Sequence, residues 1–95
     1  MGNEEQAKYF YEQSSQLANQ TTDKQLLHFI LKEKGFYFNR EGQLDSALHY
    51  LDKAYELSMK ENMTLNANGD LLNIARVYID MEKYDSCIYI LHTLA

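Results

Sequence analysis

The sequence predicts an all-α fold of antiparallel helix-turn-helix units stacked side by side, about five helices in all. Three observations predict it. First, the chain matches itself at a fixed offset of 40 residues: LDSALHYL (44–51) lies over YDSCIYIL (84–91), with Asp-Ser identical. Small residues recur at the same offset (Ala7, Ala47 and Cys87; Gly35 and Ala75), as do large ones (Tyr11, Leu51 and Leu91; Leu31 and Leu71; Phe38 and Tyr78). A fixed period of this size marks a repeat architecture. Second, apolar residues follow helical spacing, there is no proline among the 95 residues, and no stretch alternates as a strand would. Third, glycine and alanine sit where two helices of a unit would touch, because only small side chains let backbones approach closely.

The elements follow in order, with ends uncertain by about 2–4 residues. A first helix covers 4–19. Thr22 followed by Gln25 forms a capping box, so a second helix spans 22–41, and Gly42 stops it. A third, over 44–60, carries the broad apolar stripe Leu44, Ala47, Leu48, Leu51, Ala54, Tyr55 and Leu57. The fourth spans 64–81 by analogy with the second, although Gly69 in its interior costs about 1 kcal/mol relative to alanine. A later start capped by Asn68 or Asp70 is the alternative. The fifth covers 84–95. Gly35 and Ala47 form the close contact of one unit, and Ala75 and Cys87 that of the next.

Composition narrows the function. Nine basic residues against 14 acidic ones give a net charge of −5, and no basic run is present. Nucleic-acid binding needs a basic stripe to displace counterions, so it is not expected. No apolar run approaches the roughly 18–20 residues of a membrane span, and MGNEEQAKYF does not read as a signal peptide. The single cysteine, Cys87, excludes an internal disulfide, falls at a small packing position and fits a reducing, cytoplasmic setting. His28, His49 and His92 lack the spacing of a helical metal site and read as surface or packing residues. With no catalytic constellation and no phosphate loop, neither an enzyme nor a cofactor is expected.

At these residues the chain resembles the tetratricopeptide repeat (TPR) family. Gly35, Phe38, Gly42, Leu44, Ala47, Leu51 and Ala54 fit one unit. Ala75, Tyr78, Tyr84, Cys87 and Leu91 fit the next, with Leu94 where the family has its final alanine, and Ala7, Tyr11, Ser14 and Leu17 fit the second helix of a unit. The match therefore reads as one TPR-like domain: a half repeat at 1–20 and repeats at 21–60 and 61–95. Its period of 40 residues exceeds the family's usual 34 or so, with the extra residues falling around 60–67. Longer repeats of this kind resemble those of bacterial regulatory proteins.

The resemblance implies a short right-handed α-α superhelix whose concave face binds a peptide or helix of a protein partner. That face would carry Phe29, Lys32, Phe36, Asn39 and Arg40 from one unit, and Leu72, Asn73, Arg76, Ile79 and Asp80 from the next. Aromatics beside Lys and Arg suit an acidic or amphipathic peptide. Phe29 and Phe36 packing on a neighbouring helix is the alternative. The ends lack polar caps, which repeat arrays need. The chain therefore also reads as a structural or sensory fragment of a longer regulator, or as one that dimerises through its open ends at Tyr9, Phe10, Ile88 and Tyr89.

Overall fold

The computed structural model describes the backbone of residues 2–94 and the side chains of residues 5, 6 and 8–93. The repeat positions Ala7 and Leu94 lie outside the described side chains. Five helices follow one another: α1 (Gly2–Gln20), α2 (Lys24–Arg40), α3 (Leu44–Lys60), α4 (Thr64–Asp80) and α5 (Tyr84–Leu94). Among the described residues there is no strand.

Helices α2 to α5 begin 20 residues apart. Each full unit is a 17-residue helix followed by a three-residue turn. Two such units make the 40-residue period. The length beyond a repeat of ~34 residues therefore goes into the helices and forms no loop: 60–67 holds the end of α3, a three-residue turn and the start of α4.

The three turns after α2, α3 and α4 share one construction. After α2, Gln43 N donates to Phe38 O at 2.9 Å and Gly42 N to Asn39 O at 3.1 Å. Met63 N to Ser58 O and Lys83 N to Tyr78 O repeat the longer bond at 2.8 Å. This is the Schellman motif, which needs a left-handed residue just past the helix. Gly42 (φ 76°), Asn62 (φ 57°) and Glu82 (φ 61°) take that place. Glycine and asparagine suit it, whereas glutamate adopts it under strain.

The junction from α1 to α2 is built differently. Asp23 is the N-cap of α2 and accepts from Gln25 N at 3.0 Å and Leu26 N at 3.2 Å, while Thr21 Oγ1 accepts from Asp23 N. The expected box of Thr22 and Gln25 does not form. A carboxylate answers the positive helix N-terminus more strongly than a hydroxyl, and the Gln25 side chain accepts from Asn66 Nδ2 at 2.9 Å instead.

The core is centred on α3, α4 and α5: Ala47, Leu51, Ile74, Ala75, Val77, Cys87 and Ile90 are buried together. Phe36, Phe38 and Tyr78 pack against this cluster. Full burial of each large aliphatic side chain contributes about 1.5–3 kcal/mol. Tyr11 holds α1, stacking on Tyr37 (centroids 5.1 Å apart) and meeting Phe38 edge-on at 5.4 Å. Its hydroxyl lies 3.3 Å from that of Tyr50 on α3. None of the described α1 side chains is buried.

The outer helices keep exposed what α3 covers. Leu51 is 1% exposed, but its repeat partner Leu91 is 46% exposed, and Tyr84 and Ile88 are exposed beside it. The reason is position: α3 packs against both α2 and α4, whereas α5 packs against α4. Tyr9, Phe10 and Tyr89 are also exposed.

Gly35 in α2 and Gly69 in α4 differ in surroundings. A Cβ at Gly35 would sit 2.7 Å from Cγ and Cδ2 of buried Leu51 and 3.4 Å from Ala47 O. A Cβ at Gly69 would meet nothing within 4 Å. Opposite shifts in the thermal unfolding midpoint, followed by circular dichroism, are therefore expected. Gly35→Ala should destabilise by about 1–3 kcal/mol through overpacking. Gly69→Ala should stabilise by about 0.5–1 kcal/mol through backbone entropy.

Candidate functional site

Helices α2 and α4 each open one of the two repeats, and a cleft of about 250 Å³ lies between them. On α2, His28 and Lys32 are one turn apart and share a face. On α4, Leu65, Gly69, Leu72, Asn73 and Arg76 recur at helical spacing and line the other wall. The glycine leaves that wall open in the middle.

At the cleft lies a buried polar cluster joining three helices. His28 Nε2 is 2.8 Å from both Oδ1 and Oδ2 of Asp70. Ser58 Oγ on α3 donates to Asp70 Oδ2 at 2.7 Å and also lies 3.0 Å from Ala54 O. The hydroxyl has one proton, and the shorter contact to the carboxylate takes it. His28, Ser58 and Asp70 are 5%, 0% and 1% exposed. Asp70 thus gains partners from two other helices, which a buried carboxylate requires. The order of groups is not that of a nucleophile activated by a base: serine and histidine both serve the carboxylate, and neither touches the other.

This cluster is what sequence reasoning missed. In sequence His28 reads as a surface or packing residue, and Asp70 only as an alternative helix cap. A signal was present in the repeat register. Asp70 lies 40 residues after Ile30, and both are buried. A carboxylate at a position that is apolar in the other repeat calls for a partner.

The ten residues expected on the concave face are divided by the structure. Lys32, Leu72, Asn73 and Arg76 line the α2–α4 cleft. Phe29 and Arg40 line a second depression, between α1 and α2, with Phe10, Tyr11, Lys34 and Tyr37. Lys34 Nζ lies over the rings of Tyr11 (5.3 Å) and Tyr50 (5.4 Å). The Tyr11 phenol is pushed up to about 12 by its hydrogen bond with Tyr50 and then by burial, so it stays neutral at ordinary pH. Phe36 is half-buried and packs on the core. Asn39 is half-buried, and Ile79 and Asp80 are exposed near the end of α4; none of the three lines either depression.

Charge distinguishes the α2–α4 cleft. Among the described residues the one acid–base pair within 4 Å is His28–Asp70. Lys32 and Arg76 therefore have no carboxylate partner at that distance among the described residues, and Lys32 Nζ rests 5.4 Å from the Phe29 ring. The described residues hold no group of three potential metal ligands, and none of their helices is long and apolar enough to cross a membrane.

No family model matches the chain, and no curated protein or solved structure matches it.

Removing the carboxylate would leave the buried His28 donor unpaired and return the Ser58 hydroxyl to Ala54 O. Asp70→Ala is expected to cost about 3–5 kcal/mol in urea unfolding. Replacing the whole cluster with apolar residues (His28→Leu, Ser58→Ala, Asp70→Ile) should return stability to within about 1 kcal/mol of the parent chain. A fully stable Asp70→Ala variant would contradict the assigned bonding.

Proposed function

We propose that this chain is a non-enzymatic, TPR-like protein-interaction module that holds an acidic segment of a partner in the α2–α4 cleft. The observation that carries the reading is the charge of Lys32 and Arg76 on opposite walls of one cleft, with no carboxylate within 4 Å of either among the described residues, in a chain whose net charge is −5. On such an acidic protein, a local cationic groove steers negative segments toward itself and away from the rest of the surface.

The cleft also supplies what an extended peptide needs besides charge. Leu72 is 49% exposed at its rim and offers apolar contact. The Asn73 side-chain amide can bond a peptide backbone. Asp70 does not oppose an acidic ligand as a free carboxylate would, because His28 and Ser58 engage both its oxygens. The TPR resemblance supports the same reading, since first helices of successive repeats form the binding face in that family.

Binding of a dye-labelled hexa-aspartate peptide, read by fluorescence anisotropy, tests the proposal. The double variant Lys32→Glu, Arg76→Glu should lose at least about tenfold in affinity, since charged hydrogen bonds are worth roughly 1.5–3 kcal/mol each. Its circular dichroism should match that of the parent chain. Unchanged binding would place the peptide elsewhere and remove the reading.

A further inference from the structure

We propose that the α2–α4 cleft takes up a proton together with its acidic ligand, and that His28 carries that proton. This inference rests on the reading of the cleft as a site for an acidic segment, and it assigns a pH dependence to that site.

The geometry fixes the role of each ring nitrogen. His28 is 5% exposed, and its Nε2 faces both oxygens of Asp70 at 2.8 Å. A bare nitrogen lone pair there would meet carboxylate lone pairs, so Nε2 holds its hydrogen and donates. Asp70 in turn accepts from Ser58 at 2.7 Å. The ring is thus locked in orientation and tautomer from behind, and Nδ1 is what remains to act. Among the described residues Nδ1 makes no hydrogen bond, and no buried side-chain nitrogen or oxygen lacks a partner. Nδ1 is therefore not wholly enclosed, and His28 is one of the residues that line the cleft.

A neutral imidazole in this pose presents a lone pair, which repels the oxygen of an acidic ligand. A protonated one presents an N–H, which donates to that oxygen. The charged groups around the ring decide when the proton binds. Asp70 from α4 favours it through direct contact. Lys32 from α2 and Arg76 from α4 share the cleft and oppose it. Helix α3 contributes the uncharged hydroxyl of Ser58. An acidic ligand neutralises the opposing pair and adds an acceptor at Nδ1, so ligand and proton each favour the other. By linkage, the affinity for an acidic peptide rises as pH falls through the range where histidine titrates. Neither group alone would produce this coupling: a solvent-exposed histidine turns freely, and a wholly buried one could not reach the ligand.

The hexa-aspartate peptide serves as the probe, because its carboxylates, ordinarily near 3.9, stay ionised throughout. The parent chain should bind it at least ~fivefold tighter at about pH 6 than at about pH 8. His28→Gln keeps a donor for Asp70 and removes the proton, so its affinity should differ by less than ~twofold between the same conditions. A parent chain with no pH dependence, or an equal dependence in both chains, overturns the inference. Calorimetry of the parent chain alone, in buffers of different ionisation enthalpy, gives a second measure should the variant not fold. Uptake of about half a proton or more per peptide near pH 7 is expected, and zero uptake overturns the proposal. Peptide binding that survives Lys32→Glu, Arg76→Glu shows instead that the cleft reading has failed, as does the absence of binding at either pH, and the inference then falls with it.

Discussion

One buried carboxylate constrains the part of the molecule where function is placed. Asp70 on α4 is held by His28 from α2 and Ser58 from α3, so three helices meet at a single charged group. Taking a carboxylate out of water is costly, and only a full set of donors offsets it. The donors must therefore stay in place, and that fixes how α2 and α4 lie across the cleft. A purely apolar contact at this point could slide without a large energetic cost. A buried carboxylate held by hydrogen bonds of one good geometry cannot.

Around that tie the architecture is regular. A 17-residue helix and a three-residue Schellman turn form the unit, and left-handed residues at Gly42, Asn62 and Glu82 reverse the chain at equal intervals. Equal helix lengths keep the repeats in register along the stack. Close approach within the first full repeat depends on Gly35, whose missing side chain leaves room for Leu51. Helix α1 stands apart. It is held by the stacked rings of Tyr11, Tyr37, Phe38 and Tyr50, and it contributes nothing to the buried core cluster among the described residues. The buried apolar cluster thus lies in α3 to α5, while α2 adds the buried Ile30, Gly35 and His28 beside it.

The repeat and the helices were legible in the sequence because both rest on local chemistry. Apolar spacing, absent proline and the positions of Gly35, Gly42 and Ala47 are properties of short windows, and the 40-residue offset needs no knowledge of contacts. Lys32 and Arg76 were expected on one face from the resemblance to TPR units and not from the repeat register, which pairs Lys32 with Leu72 and Arg76 with Phe36. Phe36 was harder to place: its spacing marks the face it occupies, but not whether that face meets solvent or core, and it packs on the core cluster. The His28–Asp70 contact was hidden for a related reason. The two residues are 42 apart, and a polar residue at a buried position looks in sequence like a polar residue at the surface. Comparison with Ile30, one repeat earlier, is what exposes the anomaly. The helix cap was misplaced by a single residue because Thr21, Thr22 and Asp23 are all capable caps. The choice among them is settled by a carboxylate near a helix N-terminus and by Asn66 engaging Gln25.

Asp70 holds the His28 ring in one tautomer, with the hydrogen on Nε2 turned inward and Nδ1 free of hydrogen bonds among the described residues. Long-range nitrogen–proton NMR correlation on uniformly ¹⁵N-labelled protein reads this directly, because the two ring nitrogens of a neutral imidazole differ widely in chemical shift. For the neutral form of His28, the account predicts a protonated-type shift at Nε2 and a lone-pair-type shift at Nδ1. A lone-pair-type shift at Nε2 with the hydrogen on Nδ1, or averaged shifts like those of a freely exchanging surface histidine, would contradict it.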